Sequence, residues 1–344
     1  MRIESLDKFE KKVLRGSVAD YIGSLTVDSV SGAYYTKTIK KKDDSERVLQ
    51  CIDNKHVVFK IQKHLKNNFF DFIPLSNHAY GYVKGKSYYD YLKPHLNNSF
   101  YLRLDIKSFF ESIKENKLRE VLEYYIDDIK ISDDLTLIDF ILKVVTLSGS
   151  LPQGAVTSPV LSNILFRFLD IRISRYCRKF GVEYSRYVDD MLFSSNNLFV
   201  HKIIFTNGIT KILNSYGLRL NNKKNIKTKK EISLNGFVVG TDIRLSRKKT
   251  AFLSSIIYCY QHSKEKNTHN FLYEIRKHFK MDPKEKINML WLHNYLAGYR
   301  SFLLGLLPFD SVGVMPEDTT KVHKKILFKI NEIEKILDIT AFEI

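Results

Sequence analysis

Two adjacent carboxylates inside an apolar stretch constrain this chain more than any other feature. The segment Tyr184-Ser185-Arg186-Tyr187-Val188-Asp189-Asp190-Met191-Leu192-Phe193-Ser194 places residues that favour a pleated, half-buried surface on either side of an Asp-Asp step that favours a connection. It predicts a strand, a sharp acidic turn and a second strand. At such a tip Asp189 and Asp190 raise each other's pKa unless a cation neutralises them. A hard, oxygen-seeking ion such as Mg²⁺ suits two carboxylates. Taken alone, the dipeptide reads better as an ordinary solvated turn.

A second acidic strand shifts that balance. Tyr101-Leu102-Arg103-Leu104-Asp105-Ile106-Lys107-Ser108-Phe109-Phe110 is largely apolar, and Asp105 is its only acidic residue. A buried lone Asp is costly unless it is paired or bound to a metal, so a Lys or Arg partner, a helix cap or an ion would each serve. Asp105 and Asp189 are 84 positions apart, which leaves their adjacency in space open. Between them, Leu151-Pro152-Gln153-Gly154-Ala155-Val156-Thr157-Ser158-Pro159 leads into Val160, Leu161, Ile164, Leu165, Phe168 and Leu169 at helical spacing. Ser158 is the predicted N-cap, with Pro159 at the first helical position. A glycine-containing loop that opens an amphipathic helix exposes backbone donors to a flat or anionic ligand.

Together and in this order, the three segments resemble the reverse transcriptase family. Leu104 to Phe110 is similar to its motif A, Leu151 to Pro159 to motif B, and Tyr187-Val188-Asp189-Asp190 to motif C. The resemblance extends over roughly residues 37 to 245. Ile39-Lys40-Lys41-Lys42-Asp43 through Arg47-Val48-Leu49 resembles the basic fingers segment, and Ala79 to Ser87 the motif that follows it in bacterial members. Gly217-Leu218-Arg219-Leu220-Asn221-Asn222-Lys223-Lys224 resembles motif D, and Leu234-Asn235-Gly236-Phe237-Val238-Val239 the primer-grip hairpin.

The resemblance implies an α+β, right-hand polymerase fold: an N-terminal extension over residues 1–36, fingers over 37–98, a palm of antiparallel sheet and helices over 99–240, and a helical thumb over 241–344. It implies two Mg²⁺ ions, with Mn²⁺ as a substitute, whose principal ligands are Asp105 and Asp189, with Asp190 assisting and the Ile106 carbonyl completing a site. Lys41 and Arg47 are then expected on the triphosphate, Gln153 and Gly154 beside the incoming nucleotide, and Phe110 at the sugar gate that crowds a ribose 2′-hydroxyl. Lys224 matches a lysine that donates a proton to pyrophosphate, although the tandem Lys223-Lys224 leaves the register open by one residue.

Charge points independently to an anionic partner. The 344 residues carry 55 Lys and Arg against 38 Asp and Glu, a formal net charge of +17. Between Arg219 and Lys249 ten basic residues meet two acidic ones, interleaved with apolar side chains. Such a strip suits phosphate contacts, so nucleic acid is the expected partner rather than a membrane. Cys51, Cys177 and Cys259 are far apart, without zinc-ligand spacing, and no apolar run is long enough to span a bilayer. A reduced, cytoplasmic setting follows as the expectation, and the resemblance implies that of a bacterium. Beyond Lys248, apolar residues recur at helical spacing, most clearly Trp291, Leu292, Tyr295, Leu296, Tyr299 and Phe302. That stripe predicts a helix facing a core or a partner.

The chain looks like a polymerase core without a ribonuclease H type acidic set. Among relatives this resembles retron and defence-associated reverse transcriptases, which copy a dedicated structured non-coding RNA and act against phage. The Asn-Ala-x-x-His element of retron enzymes has no match between Glu111 and Ser150, and Leu234-Asn235-Gly236 stands where they carry Val-Thr-Gly. Gly298-Tyr299-Arg300-Ser301-Phe302-Leu303 is closer to the defence-associated and abortive-infection group, which the sequence favours over the retron alternative. The expected partners are the structured RNA template, nascent DNA, dNTPs, and a homo-oligomer or effector protein. A template-independent or protein-primed DNA polymerase and a catalytically silent RNA-binding protein of the same fold remain as alternatives.

Overall fold

Period-two alternation in four segments builds the sheet that carries the acidic residues. In the computed structural model, which describes residues 2–23, 25–40, 46–263, 271–275, 288–309, 314–316 and 319–341, strands β3 (Phe100–Asp105), β6 (Glu183–Tyr187), β7 (Asp190–Ser195) and β8 (Ile226–Lys229) form an antiparallel sheet in the order β6-β7-β3-β8. Its register sets Leu102 opposite Phe193 and Leu104 opposite Met191, with Tyr184 and Arg186 beside them on β6. Side chains alternate across a strand, so these residues share one face. Tyr101, Arg103, Asp105, Ser185, Tyr187, Asp190, Leu192 and Ser194 share the other.

Helices cover the first face. Helix α9 (Ser158–Arg178) and helix α10 (Ile203–Asn214) bury Leu161, Ile164, Leu165, Phe166, Leu169, Phe205 and Ile209. Phe205 meets Phe193 edge to face, with ring centroids 5.5 Å apart. The predicted stripe of α9 included Phe168, but the structure buries Phe166 completely and leaves Phe168 half-buried. Helix α9 is buried around most of its first three turns, so a single stripe describes it poorly.

The opposite face is partly covered by α5 (Tyr88–Leu92) and the 3₁₀ turn Lys93–His95. His95 is wholly buried there, with Nδ1 2.7 Å from Ser194 Oγ and Nε2 2.7 Å from Ser185 Oγ. Burial pushes its imidazole down to about 3. Because Ser185 Oγ already donates to the Tyr91 carbonyl, it accepts from Nε2–H, and Ser194 donates to Nδ1. A neutral histidine is thereby satisfied on both nitrogens and ties strands β6 and β7 together.

Before the sheet come α1 (Leu6–Phe9), a π turn at Glu10–Leu14, α2 (Ala19–Ile22) and α3 (Val27–Gly32). The antiparallel hairpin β1 (Tyr34–Lys40) and β2 (Glu46–Ile52) and then α4 (Val57–Asn68) follow. Helix α4 buries Val58, Ile61 and Leu65. After β3 come α6 (Phe109–Ser112), α7 (Glu115–Leu122), the short hairpin β4 (Lys130–Ser132) and β5 (Leu135–Thr136), and α8 (Leu137–Val145). The class is α+β with antiparallel sheets, as the sequence predicts.

The chain divides into two compact units, Met1–Lys230 and Glu231–Ile344. The second opens with a three-stranded sheet of β9 (Ile232–Leu234), β10 (Phe237–Val239) and β11 (Ile243–Leu245) in the order β11-β10-β9. Asn235 and Gly236 both take positive φ, 46° and 86°. A two-residue Asn-Gly hairpin requires this, because its turn matches the twist of the strands. Helices α11 (Arg247–His262), α12 (Met289–Leu304) and α13 (Lys321–Ala341) complete the unit. The predicted stripe on α12 splits: Leu292 and Leu296 are buried, whereas Trp291 and Tyr295 stack on each other and meet Phe252 of α11 edge to face. Among the described residues no helix is long and apolar enough to cross a membrane, and the three cysteines are free.

Candidate active site

The β3–β7 register brings the two acidic segments together at one end of the sheet. Asp105, the last residue of β3, lies opposite Asp190, the first residue of β7. The Ile106 amide donates to the Asp189 carbonyl at 3.2 Å. The 84 intervening residues, α6 to β6, leave the sheet and return to it antiparallel.

Cations already contact two of the three carboxylates. Lys224 Nζ lies 3.1 Å from Asp105 Oδ2. The backbone sets this up: Asn221 N–H donates to the Asp105 carbonyl at 2.8 Å, Lys107 N–H to the Arg219 carbonyl at 2.9 Å, and a 3₁₀ turn over Asn222–Lys224 follows. Of the lysine tandem, Lys224 is therefore the one whose ammonium meets the acidic group. Arg103 engages Asp190 through both Nε, at 2.9 Å, and Nη2. Arg103 sits two residues before Asp105 on the same face, so it reaches Asp190 as a diagonal cross-strand neighbour. Sequence reasoning passed over Arg103; its signal was a basic residue in phase with Asp105 along β3.

Asp189 is different. No side-chain group of another described residue donates to its carboxylate. Burial, then the negative charge of Asp190, push it up to about 6. Burial also raises Asp190, against the opposing pull of Arg103. A carboxyl desolvated among other carboxylates is stabilised in its ionised form by a cation placed beside it. Hard oxygen donors from Asp105 and Asp189, with Asp190 and the Ile106 backbone alongside, fit a divalent ion such as Mg²⁺ in kind. As the side chains stand, no group of three or more His, Cys, Asp and Glu residues among those described converges to hold a metal, and Arg103 and Lys224 rest on Asp190 and Asp105.

The acidic turn itself is strained. Val188 takes φ +61°, an outlier for a β-branched residue that costs of order 1–3 kcal/mol. Gly81 abuts it: a Cβ there would stand 2.6 Å from Val188 Cγ2 and 2.8 Å from Val188 N. Beneath the turn, Arg186 is fully buried and forks onto the fully buried Asp170, with Nε 3.0 Å from Oδ1 and Nη2 2.9 Å from Oδ2. Neither Asp170 nor the role of Arg186 was foreseen. The available signals were a charged residue on the apolar side of the β6 alternation and an acid within the buried stripe of α9.

The remaining expected residues fall in three places. Gln153 and Gly154 lie against β2: the Gln50 amide donates to the Gln153 carbonyl at 2.9 Å, and Gly154, at φ +132°, has room for no Cβ because the Gln50 carbonyl oxygen would lie 2.7 Å away. Phe110 is buried at the start of α6, with its ring 5.1 Å from Phe109 and 6.5 Å from Tyr82. Arg47 pairs with Ile39 in the β1–β2 register, while Lys41 lies outside the described residues. The helix after the loop begins one residue away from its expected cap. Thr157 precedes it without a side-chain cap bond, and Ser158 Oγ instead donates to the Pro152 carbonyl at 2.7 Å, closing the Gln153-Gly154 loop.

Comparison with known proteins agrees with this geometry. A family model described as reverse transcriptase (RNA-dependent DNA polymerase) matches residues 39–239. The Retron Ec86 reverse transcriptase of Escherichia coli is 30% identical over 192 residues, 56% of this chain and 58% of that protein. The Retron Ec73 reverse transcriptase of Escherichia coli is 27% identical over 293 residues, 80% of this chain and 82% of that one. The Retron Ec83 enzyme of the same organism is 29% identical over 201 residues, 55% and 64% of the two chains. For Ec86 and Ec83 the match thus spans less than two thirds of the relative. These relatives are retron enzymes, in contrast to the defence-associated group that the sequence favoured. A telomerase from Candida albicans solved with a TWJ fragment of telomeric RNA aligns with a TM-score of 0.48 and 13% identity over 90% of this chain and 66% of that one, too distant to bear on the site.

Proposed function

The chain belongs to the reverse transcriptase family, and from that premise we propose that it is an RNA-directed DNA polymerase that extends a 3′-hydroxyl with dNTPs. The observation that carries this reading is the pairing of Asp105 with the Asp189-Asp190 turn beside Lys224. Two divalent cations, Mg²⁺ or Mn²⁺, held by Asp105 and Asp189 with Asp190 and the Ile106 carbonyl in support, would supply activation of the 3′-hydroxyl and stabilisation of the leaving pyrophosphate.

The protein's own part is positioning and charge. Lys224 is a proton donor to the pyrophosphate oxygen, within reach because its ammonium already rests on Asp105. Gln153 and Gly154 line the incoming nucleotide, in a loop that packs directly on the β2 backbone because Gly154 has no Cβ to meet the Gln50 carbonyl. Phe110 crowds the 2′-position of the sugar, and its packing against Phe109 holds the ring in place. Lys41 and Arg47 meet the triphosphate. The three-lobed division into fingers, palm and thumb belongs to the same proposal.

The partner proposed is a dedicated structured RNA, copied into DNA in the bacterial cytoplasm. Similarity to retron enzymes favours the retron form, in which RNA and DNA products remain linked, over the defence-associated form; a role against phage goes with either. Sequencing the RNA and DNA that co-purify with the protein tests this. A single RNA species linked to a complementary DNA supports the retron form. A template and product recovered as separate molecules support the other, and an absence of complementary DNA contradicts both.

A further inference from the structure

The buried pair Asp170–Arg186 has no evident reason in stability. Both side chains are fully buried, and a buried ion pair is commonly no more stabilising than well-packed apolar residues of the same size. What distinguishes this pair is where the rest of the guanidinium goes. Arg186 Nη1 donates to the Val188 carbonyl and to Asn163 Oδ1, each at 3.1 Å. Asn163 Nδ2 donates to the Gly81 carbonyl at 2.8 Å, and Gly81 is the residue pressed against Val188. The guanidinium face rests on the Phe166 ring, 4.3 Å from its centroid. Tyr184 Oη donates to Asp170 Oδ1 at 2.7 Å.

One side chain therefore binds the carbonyl of the strained residue directly and, through Asn163, the backbone that buttresses it. The next residue is Asp189. Because a β-branched residue leaves the left-handed region whenever it is free to, the Val188 conformation persists only if its surroundings over-determine it. A planar fork with five fixed donors does this, and a lysine ammonium on a flexible stem does not.

We propose that Arg186 is a positioning residue: clamped by Asp170, it locks the Val188 turn so that Asp189 stays beside Asp105, and it thereby sets the protein's affinity for divalent metal. The role rests on the polymerase reading above, in which Asp105 and Asp189 hold that metal.

Mn²⁺ titration of the full chain, freed of nucleic acid and followed by electron paramagnetic resonance, tests it. D189N removes the tightest Mn²⁺ site; unchanged binding in that variant would overturn both the metal assignment and the role of Arg186. R186K, still folded by its melting transition, binds Mn²⁺ about tenfold more weakly, while its KM for dNTP at saturating metal stays within twofold of the parent. In R186K/V188G at least half of that loss, on a logarithmic scale, is recovered, because glycine takes the left-handed turn without a clamp. Parent-like Mn²⁺ affinity in folded R186K, or no recovery in the double variant, overturns the role of Arg186 and leaves the metal assignment standing. If R186K does not fold, N163A supplies the measurement. It keeps the Asp170 fork and cuts the tie to Gly81, so Mn²⁺ binding weakens about threefold, and unchanged binding counts against the proposal.

Discussion

Arg103 reaches diagonally across two paired strands to the carboxylate of Asp190, which makes the neighbouring aspartates of the acidic turn chemically unequal. Asp190 is held by a guanidinium that is itself mostly buried, whereas Asp189 is the carboxylate proposed to take up a cation. Charge-assisted hydrogen bonds of this kind contribute about 1.5–3 kcal/mol each. Arg103→Met is expected to destabilise the metal-free protein by about 1–3 kcal/mol in urea denaturation, and Mg²⁺ should recover part of the loss. A variant as stable as the parent in the presence of chelator would show that the pair is incidental.

Asp189 gives the metal-free protein a definite pH dependence. Its folded pKa, near 6, lies above the ordinary carboxylate value. The folded state therefore holds a proton that the unfolded chain releases, and stability falls as pH rises from about 4 through about 6. The deficit is complete above that range and absent below about 4. Asp189→Asn has no proton to lose, so in chelator it should be more stable than the parent at pH 7.5, by of order 1–3 kcal/mol, with the advantage vanishing near pH 4. Saturating Mg²⁺ should erase the advantage at pH 7.5 by stabilising the parent. An advantage equal at both pH values would point to packing rather than charge.

Phe110 sits in an aromatic group with Phe109 and Tyr82, and the sugar-gate role proposed for it predicts what its removal does. Phe110→Ala should raise ribonucleotide incorporation relative to deoxynucleotide by at least tenfold, since a lost steric exclusion is worth about 1–3 kcal/mol in a binding pocket. Single-nucleotide extension with matched rNTP and dNTP reads this ratio directly. An unchanged ratio with reduced overall activity would return Phe110 to a purely structural role.

The site was legible in the sequence where residue types are rare in their surroundings. Asp105 in an apolar strand and Asp189-Asp190 in an aromatic one each violate a local expectation, and the β3–β7 register brings the two violations together. Contacts set by chain return were hidden. Asp170 meets Arg186 across 16 residues, and Arg103 meets Asp190 across 87, pairings that depend on how α9 crosses the sheet and on the β3–β7 register rather than on any spacing. The Val188 backbone was equally out of reach, because a valine between tyrosine and aspartate reads as plain strand; only Gly81, a hundred residues earlier, permits the turn. The helix cap failed for a simpler reason: the helix already includes Ser158, whose hydroxyl donates to the Pro152 carbonyl instead of accepting from the first helical amides.

Asp105 and the Asp189 turn are proposed to catalyse metal-dependent, RNA-templated DNA synthesis. Extension of a labelled DNA primer on an RNA template, with all four dNTPs and Mg²⁺, tests it against the same reaction by Asp189→Asn. The parent should extend the primer to the end of the template and stop when a required dNTP is withheld, and the variant should bind the RNA yet add no nucleotides. Equal extension by Asp189→Asn, or growth of the primer with a single dNTP irrespective of template sequence, would rule out templated synthesis at these aspartates.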